Sequence, residues 1–525
     1  MTIPSLLPVP ANLSVTGGDL ALGTDVTIRA EDLPGGADPV GILTERLRTA
    51  AGLTIVADAP VTFAITRDDS LAEEAYRLTV DDAGVTITAA TSRGALWGVQ
   101  TLLQLFPAAI FGPGPMPYGE LTLPKLQIDD EPAQAWRGAH LDVVRHFFSV
   151  DEVLNYALLA SRHKLNTLHL HLTDDQGWRL PIAAYPKLTE IGAWRDGTIQ
   201  GKHRHGENNE DVREHDGIRY GGAYTREDIA RIVAECEKLG LRVIPEIDMP
   251  GHMQAAIAAY PELGVDGISH GVRTSWGVSN HVLNLSDAAL DFCRTILSET
   301  AEMFPGVPIH IGGDECPMTE WETSETVTAQ LAERGLTPAT AQAWFFREMI
   351  AHVNSLGRTA IVWDDGLGVP PPATRELTGD VIVMCWLNQA YGVAAANAGY
   401  PVIMTPVSHT YLNHGISTDP NAPGEQLSFQ PPNTMANVLT YSPYADGLSD
   451  DGEKRIIGGQ FCHWTEYTRS YARVQYLSYP RGSVIAHILW SGDITDGEDF
   501  LAETLTPHLD RLTAGEVNFS RNWRS

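Results

Sequence analysis

The sequence predicts an α/β protein, a (β/α)8 barrel preceded by a small α+β domain, and three observations carry that prediction. The texture of the chain changes near residue 130. Beyond about Ala135 the order apolar strand, polar loop, amphipathic helix repeats until eight strands have accumulated. Carboxylates and aromatic side chains then recur where those strands end, which is the face on which a barrel of this kind does its chemistry.

The first unit is expected to span residues 1–132. Tyr76 to Val80 and Val85 to Ala89 alternate apolar with polar side chains, as half-buried strands do. Gly94 to Leu105 follows with helical spacing, and the Pro/Gly-rich run from Pro107 to Pro124 reads as the exit loop.

The second unit is expected over residues 133–525, ending in a C-terminal helix. Its strands are predicted at Gly138–Asp142, Thr167–Leu172, Arg242–Ile247, Pro308–Gly312, Thr359–Trp363, Val381–Trp386, Pro401–Thr405 and Ile457–Trp464. The clearest helices are Val150–His163, Thr225–Leu239, Asp287–Met303 and Ala339–Leu356. Eight buried parallel strands separated by helices close more naturally into a barrel than into an open sheet.

In chain order the strand ends carry Asp142 and Arg145, Asp174 and Asp175, Asp248 and His252, and Asp314 and Glu315. Trp363, Trp386, Tyr411, and Trp464 with Glu466 end the other four. Carboxylates accept hydrogen bonds from sugar hydroxyls and indoles stack on sugar C–H faces, so the set suits a carbohydrate. Singly, each residue could cap a helix or fill the core.

The sharpest motif is His310-Ile311-Gly312-Gly313-Asp314-Glu315. Two adjacent carboxylates at the end of a buried strand resist ionising together, so one can stay protonated as a general acid while the other remains charged. The glycines allow backbone and sugar to approach closely.

Several runs, in order, resemble the family 20 glycoside hydrolases, the β-N-acetylhexosaminidases. They are Arg137-Gly138 with Leu141-Asp142 and Arg145-His146-Phe147-Phe148, Leu172 to Arg179, and Pro245 to His252. Gly-Gly-Asp-Glu, Gly458-Gly459-Gln460 and Trp464-Thr465-Glu466 complete the set, and Gly94 to Leu105 looks like the end of that family's small N-terminal domain. The resemblance implies exo-removal of a terminal β-linked N-acetylglucosamine or N-acetylgalactosamine with retention of configuration. It also implies substrate assistance, in which the sugar's 2-acetamido oxygen attacks the anomeric carbon and forms an oxazolinium ion.

Position by position, the resemblance makes Glu315 the general acid and then the base. Asp314 orients the acetamido group and Tyr411 donates to its oxygen. Trp363, Trp386 and Trp464 box the sugar, Arg145 holds the C3 and C4 hydroxyls, and Glu466 the C4 or C6 side. Asp175, Asp248 and His252 match positions near the acid, where a charge network can tune it; His252 could equally be a buried, hydrogen-bonded imidazole. Two departures stand out. Asn413 replaces the Asp of the family's Tyr-x-Asp, and Asp365 replaces the Glu of Trp-Asp-Glu.

Composition narrows the alternatives. At 43% hydrophobic and 19% charged the chain is ordinary globular. Its 66 acidic against 36 basic residues give a net charge of −30, which argues against nucleic-acid and anionic-membrane partners. Five scattered cysteines without a CxxC pair, and a start lacking a basic segment and apolar core, fit a cytoplasmic protein; a secreted form trimmed of its signal shares these features. No cofactor or metal is expected. The competing reading is a metal-dependent barrel hydrolase, because His169 and His171 alternate on one strand face, with His252, His310 and Asp314 as further ligands. A degenerate, sugar-binding barrel and a disaccharide-releasing family member are the others. The loops Gly197–Gly222, Gly264–Asn280 and Asn413–Arg455 are expected to shape the entrance.

Overall fold

The computed structural model describes residues 5–524 apart from 117, 118, 120, 203–213, 369, 370, 420, 423 and 426. Part of the first entrance loop, residues 203–213, therefore lies outside the described residues, as do single positions of the third.

Residues up to Asp130 form a seven-stranded sheet. Its strands are β1 (Asn12–Ala21), β2 (Asp25–Ala30), β3 (Thr54–Ile55), β4 (Val61–Arg67), β5 (Tyr76–Asp81), β6 (Gly84–Ala89) and β7 (Thr122–Asp130), ordered β1-β7-β5-β6-β4-β2-β3. The β1, β7, β5 and β6 ladders are antiparallel, and β6, β4, β2 and β3 run parallel. The helix predicted at Gly94–Leu105 runs from Ser92 to Leu103, capped by the Thr91 hydroxyl on the Gly94 amide, and nearly all of it is buried. The expected exit loop is shorter than read. Its end is β7, which tolerates Pro124 because β5 pairs only with Leu126–Asp130 and leaves Pro124 beside β1 alone.

The remaining chain closes a barrel of eight parallel strands. Two short ribbons, β10–β11 (Thr173–Asp174 with Gly177–Trp178) and β12–β13 (Trp194–Arg195 with Tyr220–Gly221), decorate it. The barrel strands are β8 (Trp136–Asp142), β9 (Thr167–His171), β14 (Arg242–Glu246), β15 (Ile309–His310), β16 (Ala360–Trp363), β17 (Val381–Cys385), β18 (Val402–Met404) and β19 (Ile456–His463), with β19 pairing back onto β8. Each coincides with a predicted strand. The largest core cluster lies between barrel and helices, where Ala157, Leu168, Ile232, Val243 and Phe346 are fully buried. A second cluster inside the barrel joins Trp136, Ile244, Met384 and Ile403 to Trp363, Tyr411 and Trp464, so the apolar filling rises directly into the aromatic mouth.

Sheet and barrel share buried charge. The Lys164 ammonium lies 2.9 Å from Asp130 Oδ2, which also accepts from the Tyr76 hydroxyl at 2.7 Å and the Trp490 indole at 3.0 Å. Arg137 pairs with Glu74 nearby.

Candidate active site

The mouth of the barrel is built at the carboxyl ends of the strands. After β15 the chain turns through Gly312 and Gly313, both with positive φ (65° and 108°). A Cβ at Gly312 would meet Asp248 Oδ1 at 1.8 Å, and one at Gly313 would meet the Phe346 ring at 2.2 Å, so only glycine fits. The turn delivers Asp314 and Glu315 to the mouth. Backbone bonds fix it there: the Gly313 amide donates to Asp248 Oδ1 at 3.0 Å, and the Glu315 amide to Asp365 Oδ2 at 2.9 Å. Glu315 (φ 47°) and His252 (φ 52°) both hold the left-handed conformation, strain of the kind that clusters at functional sites.

A cavity of about 210 Å3 opens here, lined by Arg145, Asp314, Glu315, Trp386, Tyr411, Asn413, Trp464 and Glu466 with Val407, His414 and Phe429. The Trp386 and Tyr411 rings stack at 6.2 Å, and Trp464 lies 6.2 Å from Tyr411. Trp363 sits one layer further in, 6.2 Å from Trp464, its indole N–H donating to Glu246 Oε1 at 2.7 Å. Polar atoms without a hydrogen-bond partner face this region: Asp314 Oδ1, Asn413 Oδ1, Glu466 Oε2 and Trp464 Nε1.

The acidic pair is asymmetric. The Asp314 side chain is 13% exposed and Glu315 42%. Burial, and then the neighbouring Asp248 charge, push the Asp314 carboxyl well above the usual range. Burial also raises Asp248 to about 7 against the opposing pull of His252, and Glu466 to about 7 against that of Arg145. Tyr411 is held as a protonated donor because burial lifts its hydroxyl well above the normal value.

His252 stands between the two groups of carboxylates. Its Nδ1 lies 3.2 Å from Asp174 Oδ1 and 3.4 Å from Asp175 Oδ2, and its Nε2 3.7 Å from Asp314 and 3.6 Å from Glu315. Burial disfavours its charge, but Asp174 and its hydrogen bonds outweigh that and raise the imidazole well above its ordinary value. Asp175 also accepts the Gln254 and Ser279 amides at 3.1 and 3.0 Å, tying two loops to the site.

The structure thus gathers the residues singled out from the sequence around the barrel mouth, with Trp363 one layer below the cavity, and it gives two of those the sequence only noted, Asp174 and Asp365, specific partners. Asp174 links more groups than Asp175: Arg145 Nη2 approaches it at 2.6 Å, and His171 Nε2 at 2.8 Å. Its signal in the sequence is only its position three residues after His171. Asp365, noted as a departure from Trp-Asp-Glu, positions both the Glu315 amide and the Trp386 indole N–H, the latter at 3.1 Å.

Three ligand atoms come within 4.8 Å of one another in four sets: His140, His169 and Glu246; Asp174, Asp248 and His252; His252, Asp314 and Glu315; and Glu246, Asp248 and Asp314. Among the described residues, His169 and His171 do not fall in one such set; both nitrogens of His171 are held by carboxylates, Glu246 and Asp174, at 2.8 Å.

A (β/α)8 barrel with an adjacent acidic pair, a charged histidine behind it and an indole-lined cavity in front has the architecture of a sugar-cleaving enzyme, and comparison with known proteins makes the class specific. Residues 134–493 match the glycosyl hydrolase family 20 catalytic domain, and residues 3–131 match domain 2 of the same family. The chain belongs to glycosyl hydrolase family 20. A beta-hexosaminidase of Porphyromonas gingivalis is 33% identical over 93% of the chain, which spans 60% of that relative's length. The Vibrio harveyi GH20 exo beta-N-acetylglucosaminidase, solved with N-acetylglucosamine, superposes with a TM-score of 0.83 at 29% identity, covering 99% of this chain and 78% of that one. The GH20 beta-N-acetylhexosaminidase of Streptomyces coelicolor A3(2) gives 0.80 at 30% identity, covering 99% and 98%. Among the described residues, no helix is long and apolar enough to cross a membrane.

Proposed function

We propose that the protein is an exo-acting, retaining β-N-acetylhexosaminidase that removes terminal β-linked N-acetylglucosamine or N-acetylgalactosamine by substrate-assisted catalysis. The observation that carries this reading is the adjacent Asp314–Glu315 pair beside an aromatic cavity. Glu315, the more exposed of the two, protonates the leaving oxygen and later activates water. Asp314, at the buried end, accepts the acetamido N–H as a carboxylate, a form that burial disfavours but that the positive charge developing as the acetamido oxygen attacks C1 favours. Tyr411 donates to that oxygen. No protein nucleophile is required, so the two carboxylates need not face each other across the sugar.

Trp386 and Trp464 flank the acetamide and pyranose, with Trp363 backing Trp464 from one layer below rather than lining the cavity as the resemblance implied, while Arg145, Asn413 and Glu466 receive the outer hydroxyls. A cavity of about 210 Å3 is smaller than the roughly 300–1,000 Å3 of drug-sized sites and supports one sugar ring over a disaccharide. Asp175, Asp248 and His252 adjust the charge around the acid. The domain division at 132/133 belongs to the same proposal, as does a reducing compartment, which five unpaired cysteines support.

The test is release of nitrophenol from the 4-nitrophenyl β-glycosides of N-acetylglucosamine, N-acetylgalactosamine and glucose, with and without chelator. Cleavage of the acetamido sugars alone, unaffected by chelator and competitively blocked by a thiazoline mimic of the cyclised intermediate, is expected. Equal cleavage of the glucoside would remove substrate assistance.

A further inference from the structure

One buried carboxylate below the site is shared by two halves of the machinery. Glu246, the last residue of β14, is register partner of His171 on β9 and His310 on β15, and all three are fully buried. Its Oε1 accepts the Trp363 indole N–H at 2.7 Å. Its Oε2 lies 2.8 Å from His171 Nδ1 and 3.2 Å from His169 Nε2. The other nitrogen of His171 is 2.8 Å from Asp174 Oδ2.

Both carboxylates are acceptors on every side. Asp174 receives Arg145, the Asp175 amide at 2.6 Å and His252. Glu246 receives the indole. The ring between them therefore donates at both ends, and a doubly donating imidazole is an imidazolium.

We propose that Glu246 and His171 are positioning residues of the reaction: a buried carboxylate–imidazolium pair that aims Asp174 at His252 and, through the second Glu246 oxygen, fixes the tilt of Trp363. The inference rests on the function proposed above and extends it one layer inward. Neither residue lines the cavity, and neither do Trp363, Asp174 and His252; the cavity is reached one step further on, through Trp464 beside Trp363, Arg145 on Asp174, and Asp314 and Glu315 beside His252. A point charge held one carboxylate away from His252 also sets how tightly the mouth keeps its proton.

Of the groups around His171 the carboxylates favour its charge, and Arg145, which shares Asp174 Oδ2 with it, opposes it. Asp142 and Arg145 come from β8 and the loop after it, Glu246 and Asp248 from β14 and its loop, and Asp174 from β10. His140, His169 and His310 are the other imidazoles: burial lowers His140 well below the ordinary value and His310 to about 3, so neither competes for the proton. For His171 itself, the Glu246 charge and the two hydrogen bonds outweigh burial and raise it well above the ordinary value.

Glu246→Gln is the informative substitution. A glutamine amide can accept from the Trp363 indole and donate to His171 Nδ1, so it keeps the shape while letting His171 become neutral. Loss of the nearer positive charge should hold the proton more tightly at His252 and the acidic pair. The expected result is a kcat lowered about 10-fold or more with KM changed less, and both limbs of the kcat/KM pH profile moved upward by roughly half a unit or more. His171→Gln should move the limbs the same way, and Glu246→Asp, which keeps the charge but shortens the reach, should restore the limbs while kcat stays low.

A folded Glu246→Gln variant with an unmoved pH profile overturns the proposal, because a merely structural role lowers activity without shifting the limbs. Should the variants not fold, imidazole 15N shifts of the wild-type protein decide: a doubly protonated His171 through about pH 8 is expected, and a neutral ring overturns it. Wild-type cleavage of the N-acetylglucosaminide is measured first. Its absence overturns the functional reading and this inference with it, whereas its presence with unshifted variants overturns only the inference.

Discussion

Two layers of ionisable groups lie one above the other in this barrel. In the lower layer three carboxylates are paired: Asp142 accepts the Val144, Arg145 and Thr465 amides and the Arg145 guanidinium, Asp174 bridges Arg145, His171 and His252, and Glu246 bridges His171 and Trp363. All three are held below the ordinary carboxylate range despite burial, by Arg145 in the first two and by His171 in the third. In the upper layer Asp314 and Glu466 keep unpartnered oxygens, and both are raised. The lower layer is frozen by charge pairing, whereas the upper layer keeps acceptors and protons available for a substrate. Opposite electrostatics so close together mean that substitutions one layer apart should differ in kind, and often in sign.

The largest expected effect is in the upper layer. Glu315→Gln should lower kcat by about 100- to 10,000-fold, the usual worth of a general acid–base group, with the thermal midpoint and far-UV spectrum unchanged. Near-normal turnover would remove Glu315 from that role. In the lower layer the expected loss is of stability. Asp142→Asn leaves Arg145 with one fewer buried counter-charge and should cost roughly 3 kcal/mol, seen as a lower denaturant midpoint at unchanged slope. A midpoint within experimental error of wild type would mean that the lower layer is not the frozen one.

How much of this was legible in the sequence follows from the same physics. Most of the barrel strands could be read because buried parallel strands are largely apolar runs that need no partner to be recognised, although β8, β9 and β19 carry buried polar side chains among them. β15 is shorter than its apolar run, since Pro308 cannot donate to the ladder and Gly312 has left the extended conformation. β7 was hidden because Pro124 reads as a loop until it is known which neighbour that stretch lacks. In the site, Asp314 and Glu315 announce themselves by adjacency. Asp174 does not, because it and Asp175 are indistinguishable until the fold brings Arg145 and His171 to one of them. Glu246 was likewise silent: its meaning depends on register with β9, which no local pattern encodes.

The next prediction separates the layers by sign. Glu466 has its carboxyl raised from 4.5 to about 7, chiefly by burial. A carboxyl raised in the folded state binds its proton more tightly there than in the unfolded chain. Ionising it therefore penalises folding, starting above the unfolded value near 4.5 and complete above about 7. Glu466→Gln should accordingly gain stability relative to wild type as pH rises through that window, by roughly 1–2 kcal/mol once the side chain's partial exposure is allowed for. Asp142→Asn should show the reverse, losing more as pH rises through its lower window. Thermal midpoints at pH 4.5, 6 and 7.5 read the first and midpoints below pH 4.5 the second; a Glu466→Gln difference that does not grow with pH would place that carboxylate in the paired layer instead.

The smallest effect concerns Asn413, whose Oδ1 is buried, unpartnered and part of the cavity lining. Restoring the family's acid with Asn413→Asp adds a carboxylate to a wall that already holds Glu466 at about 7. Like charges at short range push one another's proton affinity up, so the new carboxyl should ionise at higher pH than an ordinary aspartate. Its influence on the sugar is then that of one hydrogen bond gaining charge, about 1 kcal/mol or a few-fold. The expected signature is a change in the ratio of kcat/KM between the gluco and galacto nitrophenyl glycosides that is negligible near pH 5 and several-fold near pH 8, with total activity little altered. A ratio constant within about two-fold at both pH values would move Asn413 away from the epimeric hydroxyl and leave Arg145 and Glu466 as the groups that read it.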